Sequence, residues 1–216
     1  MRIGVFGTGV VGQAIGAKLV ALGHEVRMGS RSADNESAAT WAGEAGPQAS
    51  HGTFADAARF GELLVNCTAG LASLDVLRTA GAENLAGKVV VDVSNALDFS
   101  QGAPPTVGLG NADSVGEQLQ REFPEARVVK TLNTVNCEVM VDPSLVPGEH
   151  DMFVCGNDES AKADVSSLLE SFGWPANHIF DLGDITSARA VEMYLALWLR
   201  LWGVAQSPHF NIRLVS

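Results

Sequence analysis

Apolar and polar positions along the chain follow two periods in turn. Residues 2–6, 63–67, 88–92, 127–132, 152–155 and 179–181 are short, nearly continuous apolar runs, which read as strands buried on both faces. Glu25-Val26-Arg27-Met28 reads as a further strand, the second in chain order. The segments between them carry helical spacing. After the first strand, Ala14, Ile15, Leu19, Val20 and Leu22 share one face. Helices are also predicted over 36–45 (closed by Gly46-Pro47), 71–79, 160–172 and about 184–202, with one more stopping at Pro124 behind a Ser114/Glu117 cap. Thr53-Phe54-Ala55-Asp56 has the form of a capping box. A final strand is predicted over 211–215. Strands and helices alternating in this way predict an α/β fold, a Rossmann-type doubly wound, mainly parallel sheet. The Rossmann-type domain is expected to span 1–147, with a small C-terminal α/β subdomain over 148–216. The Gly/Pro-rich stretch 101–110, with Pro104-Pro105, is long enough to be a functional loop.

Gly7-Thr8-Gly9-Val10-Val11-Gly12 follows the first strand and opens the first helix. In that context the glycines form a dinucleotide fingerprint. Gly7 allows a tight turn, Gly9 lets the backbone approach a pyrophosphate, and Gly12 lets the helix pack on the strand. The free N–H groups and positive dipole of the helix N-terminus then face the phosphates. The second strand ends in Gly29-Ser30-Arg31 with no acid at its tip; Asp34 comes several residues later. A hydroxyl and a guanidinium there suit the 2′-phosphate of NADP rather than the free ribose of NAD. Read alone, Arg31 is also an ordinary solvated loop residue.

In doubly wound sheets ligands bind beyond the carboxyl ends of the strands. That rule selects Gly7–Gly12, Ser30 and Arg31, Thr68 to Gly70, Ser94 to Leu97, and Asn133 to Cys137. Asn95 is equally a residue that stabilises its own turn. Asn133 and Asn136 together can hydrogen-bond a nicotinamide carboxamide or the carbonyl of a second substrate.

The 216 residues, 46% apolar and 18% charged, describe a folded globular chain rather than a disordered one. A net charge of −11 disfavours nucleic acid and anionic membranes as partners. An anionic cofactor must then be met locally, which raises the weight of Arg31. The opening residues read as a core strand rather than a leader, and the apolar run 193–202 is too short to span a bilayer. Three scattered cysteines, Cys67, Cys137 and Cys155, read as reduced thiols, and the five histidines lack ligand spacing. A cytoplasmic protein without a metal site is expected.

The chain resembles the reductases that pass hydride between NADPH and the deazaflavin coenzyme F420, together with their bacterial relatives. The resemblance rests on Gly7-Thr8-Gly9, Leu22-Gly23-His24-Glu25, Gly29-Ser30-Arg31, Thr134-Val135, Val154-Cys155-Gly156-Asn157-Asp158, Ser187-Ala188-Arg189 and Asn211-Ile212-Arg213, and it runs end to end. It implies an NADP pocket built from Thr8 to Val11, Ser30, Arg31, the Ala69 and Asn95 regions, and Val135 to Cys137. It also implies an acceptor cleft against the C-terminal helix, with F420 as co-substrate. Two departures bear on the acceptor. A His in deazaflavin-reducing members is Asn133 here, and the proline-aromatic pair of the family loop is absent at Thr68-Ala69.

Hydride transfer between two stacked rings needs alignment and exclusion of water more than acid–base chemistry. No residue is assigned as an acid or base. An NADPH-dependent reductase of a small metabolite and a non-catalytic NADP-binding redox sensor stand as alternatives. The helix near the C-terminus is apolar almost all round, so it is expected to be buried on most sides, by the core, the acceptor or a second copy in a homodimer. Arg189 is expected to meet Glu192 or a substrate anion.

Overall fold

The computed structural model describes residues 1–102 and 105–215; Pro104 of the long loop lies outside them. The first half runs β1 (Arg2–Phe6), α1 (Val10–Ala21), β2 (Glu25–Ser30), α2 (Glu36–Ala45), β3 (Ala49–Thr53), α3 (Phe54–Phe60), β4 (Leu63–Asn66), α4 (Gly70–Ala80), α5 (Ala82–Leu85) and β5 (Val89–Asp92). A two-stranded ribbon follows, β6 (Leu97–Asp98) with β7 (Thr106–Val107). The chain continues through α6 (Val115–Glu122), β8 (Arg127–Thr131), α7 (Cys137–Val141), β9 (Met152–Gly156), α8 (Glu159–Phe172), β10 (Ile179–Asp181) and α9 (Ala188–Ala205).

Eight strands form one sheet in the order β10-β9-β8-β5-β4-β1-β2-β3. It is mainly parallel, as the pattern predicts, with apolar clusters on both faces. One pair departs from this: β9 runs antiparallel to β8, with Val129 opposite Gly156. Residues 132–151 hold only the short α7 and a 3-10 turn, so the chain never crosses the sheet and re-enters from the carboxyl end of β8. β10 is parallel to β9 and therefore ends at the far side. From there α9, about 27 Å long at 1.5 Å per residue, runs back towards the carboxyl ends of β5 and β8. The boundary expected at 147/148 falls just before β9, which joins the same sheet as the first 147 residues.

The predicted capping box at Thr53 and the predicted cap at Ser114 open α3 and α6. The Thr53 side chain accepts from the Asp56 N–H, and Ser114 accepts from that of Glu117. Two differences from the sequence reading follow from position in the sheet. β3 reads Ala-Ser-His-Gly-Thr and lacks an apolar pattern because it is an edge strand. Residues 211–215 form no strand, because β9 already pairs on both sides. The tail instead meets the chain just before β9. Asp151 N–H donates to Ile212 O (2.9 Å), and Asn211 Nδ2 donates to Asp151 O (2.7 Å).

The last helix is covered on one side only by its own chain. Val191, Glu192, Leu195 and Trp198 are buried, but Met193, Leu197, Trp202 and Val204 are exposed on this single chain. Trp198 is stacked on Phe210 of the tail, with ring centroids 5.3 Å apart, and lies beside Trp202.

Candidate active site

Three adjoining chambers open at the carboxyl ends of the parallel strands. The first, about 750 Å³, is lined by Gly7, Thr8, Gly9, Ser30, Arg31, Thr68 and Ala69 among others. The second, about 270 Å³, shares Cys67 and Thr68 with it and adds Val10, Val11, Asn95, Asn133, Val135, Asn136 and Cys137. A more open apolar groove of about 690 Å³ shares Leu97, Leu195 and Trp198 with the second and continues over Phe99 and Trp202. The residues singled out in the sequence thus converge on one elongated cavity, with Gly12 just behind its wall.

The first chamber fits a dinucleotide on steric grounds. Gly7 has φ +109°, a conformation that glycine adopts without strain. A Cβ on Gly12 would lie 2.1 Å from Gly7 O, so helix and loop touch backbone to backbone. Gly9 has open space where its Cβ would be, and α1 has no side-chain cap, leaving its first N–H groups to an anion. Ser30 is buried and its hydroxyl donates to Ser32 O, while Arg31 stands exposed at the rim. Asp34 accepts from the Ser32 hydroxyl and does not line the chamber.

At the other end, β8 finishes in Leu132 with φ +62°, a left-handed conformation costly for a branched side chain. This kink turns Asn133 inward. Asn133 Nδ2 donates to Asn95 Oδ1 (3.0 Å) and Val191 O (3.0 Å), and Asn95 Nδ2 donates back to Asn133 O (2.8 Å). The two amides therefore brace the loops after β5 and β8 against α9. Asn136 caps α7 by accepting from Glu138 N–H. Ser94 Oγ and Trp198 Nε1 are buried in the same wall without a partner among the described residues. These are the polar atoms a ligand would satisfy.

The thiols near the cavity are neutral. Burial, then the charge of Asp92, pushes the Cys67 thiol well up, and burial raises Cys137. Cys155 is pushed up to about 12, chiefly by burial.

Sequence reasoning missed a charged cluster beneath the second chamber. Lys130 Nζ, fully buried, lies 2.9 Å from Asp92 Oδ2 and 2.8 Å from Glu192 Oε1, and also donates to Ser94 O. Burial pulls this lysine down, but the two carboxylates outweigh it and hold it above the ordinary value. The available signal was a lysine inside an otherwise buried strand and a glutamate in an apolar helix. Because Glu192 turns inward, Arg189 does not meet it. Arg189 Nε bonds Glu117 Oε2 at 2.7 Å instead, tying α9 to α6. Among the described residues no His, Cys, Asp and Glu cluster is placed to hold a metal, and no helix is long and apolar enough to cross a membrane.

Known proteins place this architecture. Residues 2–96 match the family described as NADP oxidoreductase, coenzyme F420-dependent. The crystal structure of a candidate F420-dependent NADP-reductase from Arthrobacter sp. FB24 superposes with a TM-score of 0.94 at 49% identity, covering 100% of both chains. The F420-dependent NADP reductase of Methanocaldococcus jannaschii is 31% identical over 135 residues, 62% of this chain and 59% of that protein. The metalloreductase STEAP3 of Rattus norvegicus is 26% identical over 204 residues, 94% of this chain. The chain spans only 38% of STEAP3's length. The chain belongs to the coenzyme F420-dependent NADP oxidoreductase family.

Proposed function

We propose that this protein transfers hydride between NADPH and a planar acceptor of the deazaflavin or flavin class, with coenzyme F420 the first candidate. The observation that carries the reading is the contrast along one cavity. The Arg31 guanidinium, suited to a 2′-phosphate, stands at the rim of one end, and an uncharged chamber opening onto Leu195, Trp198 and Trp202 lies at the other. Bound NADPH would supply the hydride. The chain's own part is to hold the phosphates on the α1 N-terminus, to fix the nicotinamide end between Val10, Asn95 and Val135, and to exclude water with α9. Ser94 Oγ and Trp198 Nε1 would supply hydrogen bonds to the carboxamide or to an acceptor carbonyl. Hydride transfer in such a chamber depends on alignment, which fits the bracing roles of Asn95 and Asn133.

The test is NADPH oxidation, followed at 340 nm, with F420, FMN, FAD and a quinone offered separately. Turnover with F420 alone supports the reading, and turnover with another of the three reassigns the acceptor. NADPH binding without turnover favours a sensor. A second copy covering Met193, Leu197 and Trp202 of α9 is the further expectation, checked by the solution mass.

A further inference from the structure

The cluster beneath the second chamber carries a fixed formal charge. Lys130 Nζ has three protons and three acceptors, Asp92 Oδ2, Glu192 Oε1 and Ser94 O, so it is an ammonium. Asp92 Oδ1 accepts from Asn66 Nδ2 (2.9 Å) and Ser94 N–H (3.1 Å), while its other oxygen takes Lys130. Glu192 accepts from Val115 N–H (2.9 Å), Gly116 N–H (3.2 Å) and Lys130. Every partner of the Asp92 and Glu192 oxygens is an N–H donor, so both acids act purely as acceptors, as carboxylates do. Two negative charges and one positive charge leave a net charge of −1, away from water. The positive end of α6 faces Glu192 and reduces this field without cancelling it.

The cluster lies one residue behind the cavity. Ser94, bonded to it through both its N–H and its C=O, lines the second chamber. Thr68, which lines both nucleotide chambers, bonds Asn66, and Asn66 bonds Asp92. The wall itself holds apolar, amide, hydroxyl and thiol groups, so the cluster is its dominant field.

We propose that the Asp92–Lys130–Glu192 cluster is an electrostatic floor that stabilises the cationic, oxidised nicotinamide over the neutral, reduced one. The bound nucleotide is thereby biased towards giving up hydride. When hydride leaves, its two electrons and one proton go to the acceptor carbon and the ring gains one positive charge. A unit charge about 10 Å away, at an effective dielectric constant near 20, changes the ratio of the two affinities on the order of tenfold. A tenfold change corresponds to about 30 mV for a two-electron couple.

The inference rests on NADP(H) occupying this cavity, and the experiment separates the two. Binding of 2′,5′-ADP, NADP⁺ and NADPH is measured by calorimetry on the full chain, native and with Glu192→Gln or Asp92→Asn. The native protein is expected to bind NADP⁺ more tightly than NADPH. Either variant should lower that preference on the order of tenfold while leaving 2′,5′-ADP, which lacks the nicotinamide, unchanged. A merely structural role would weaken both nucleotides alike, and an unchanged ratio overturns the proposal. If neither variant folds, the native ratio decides: tighter binding of NADPH overturns it. Failure of 2′,5′-ADP to bind the native chain overturns the nucleotide assignment itself, and the inference with it.

Discussion

At the Gly7–Gly12 end the cavity is shaped by backbone, whereas at the Asn133 end it is shaped by side chains that bond to one another. The first end depends on missing atoms: no Cβ at Gly12, none at Gly9 and no cap on α1. The second depends on added groups, two braced asparagines, a buried ammonium and a tryptophan. A backbone-built site is fixed by local geometry and tolerates little. A side-chain-built site can be retuned by substitutions distant in sequence.

The largest expected effect breaks the backbone half. Gly12→Ala drives a Cβ into Gly7 O and should cost about 3 kcal/mol, or roughly 6–12 °C in melting temperature, with loss of both nucleotides. A variant that melts normally would mean the loop can move, and the contrast would collapse. Arg31→Ala sharpens the same half. Loss of about 1.5–3 kcal/mol should weaken NADPH roughly ten- to a hundredfold in titrations and leave NADH little changed. Equal weakening of both would sink the 2′-phosphate assignment.

The third effect lies in the side-chain half. Glu117→Gln should cost about 1.5 kcal/mol of stability and raise the acceptor KM with the NADPH Kd unchanged, because Arg189 then holds α9 less firmly. The pair also sets an acid limit. The Arg189 guanidinium, working against burial and aided by Ser114, holds the Glu117 carboxyl below its ordinary value of 4.5. A depressed carboxyl contributes its stability in full above the unfolded value and loses it as pH falls through the lower folded one. Thermal melts should therefore show no contribution from this pair to pH dependence above about pH 5. Below 4.5 the native chain should lose stability faster than Glu117→Gln. The smallest effect is Asn136→Ala, which removes the cap of α7 and should lower stability by about 1 kcal/mol. A large acceptor-specific defect in that variant would instead give Asn136 a direct contact.

The sequence was most legible where a backbone demand leaves a contiguous residue signature. The glycine loop, the Ser30-Arg31 turn and the capped helices are of this kind, and α2 and β10 fall where the pattern places them. The side-chain half was less legible because its partners come from distant strands and helices. Lys130 meets Asp92 across 38 residues, and Asn133 meets Val191 O across 58. Residue type alone also misplaced Arg189, since a nearby glutamate on the same helix was an obvious partner until Lys130 claimed it. The strand expected at 211–215 failed on sheet connectivity, which apolar content does not encode.

The stacking of Phe210 on Trp198 has a spectroscopic consequence. Of the four indoles, Trp41 and Trp174 are packed in the core, whereas Trp198 and Trp202 border the apolar groove. Excited indole emits in the near ultraviolet, where a reduced nicotinamide absorbs. Trp198 is thus a built-in energy donor beside the chamber, and occupancy by the reduced nucleotide is readable as quenched indole light without any added label.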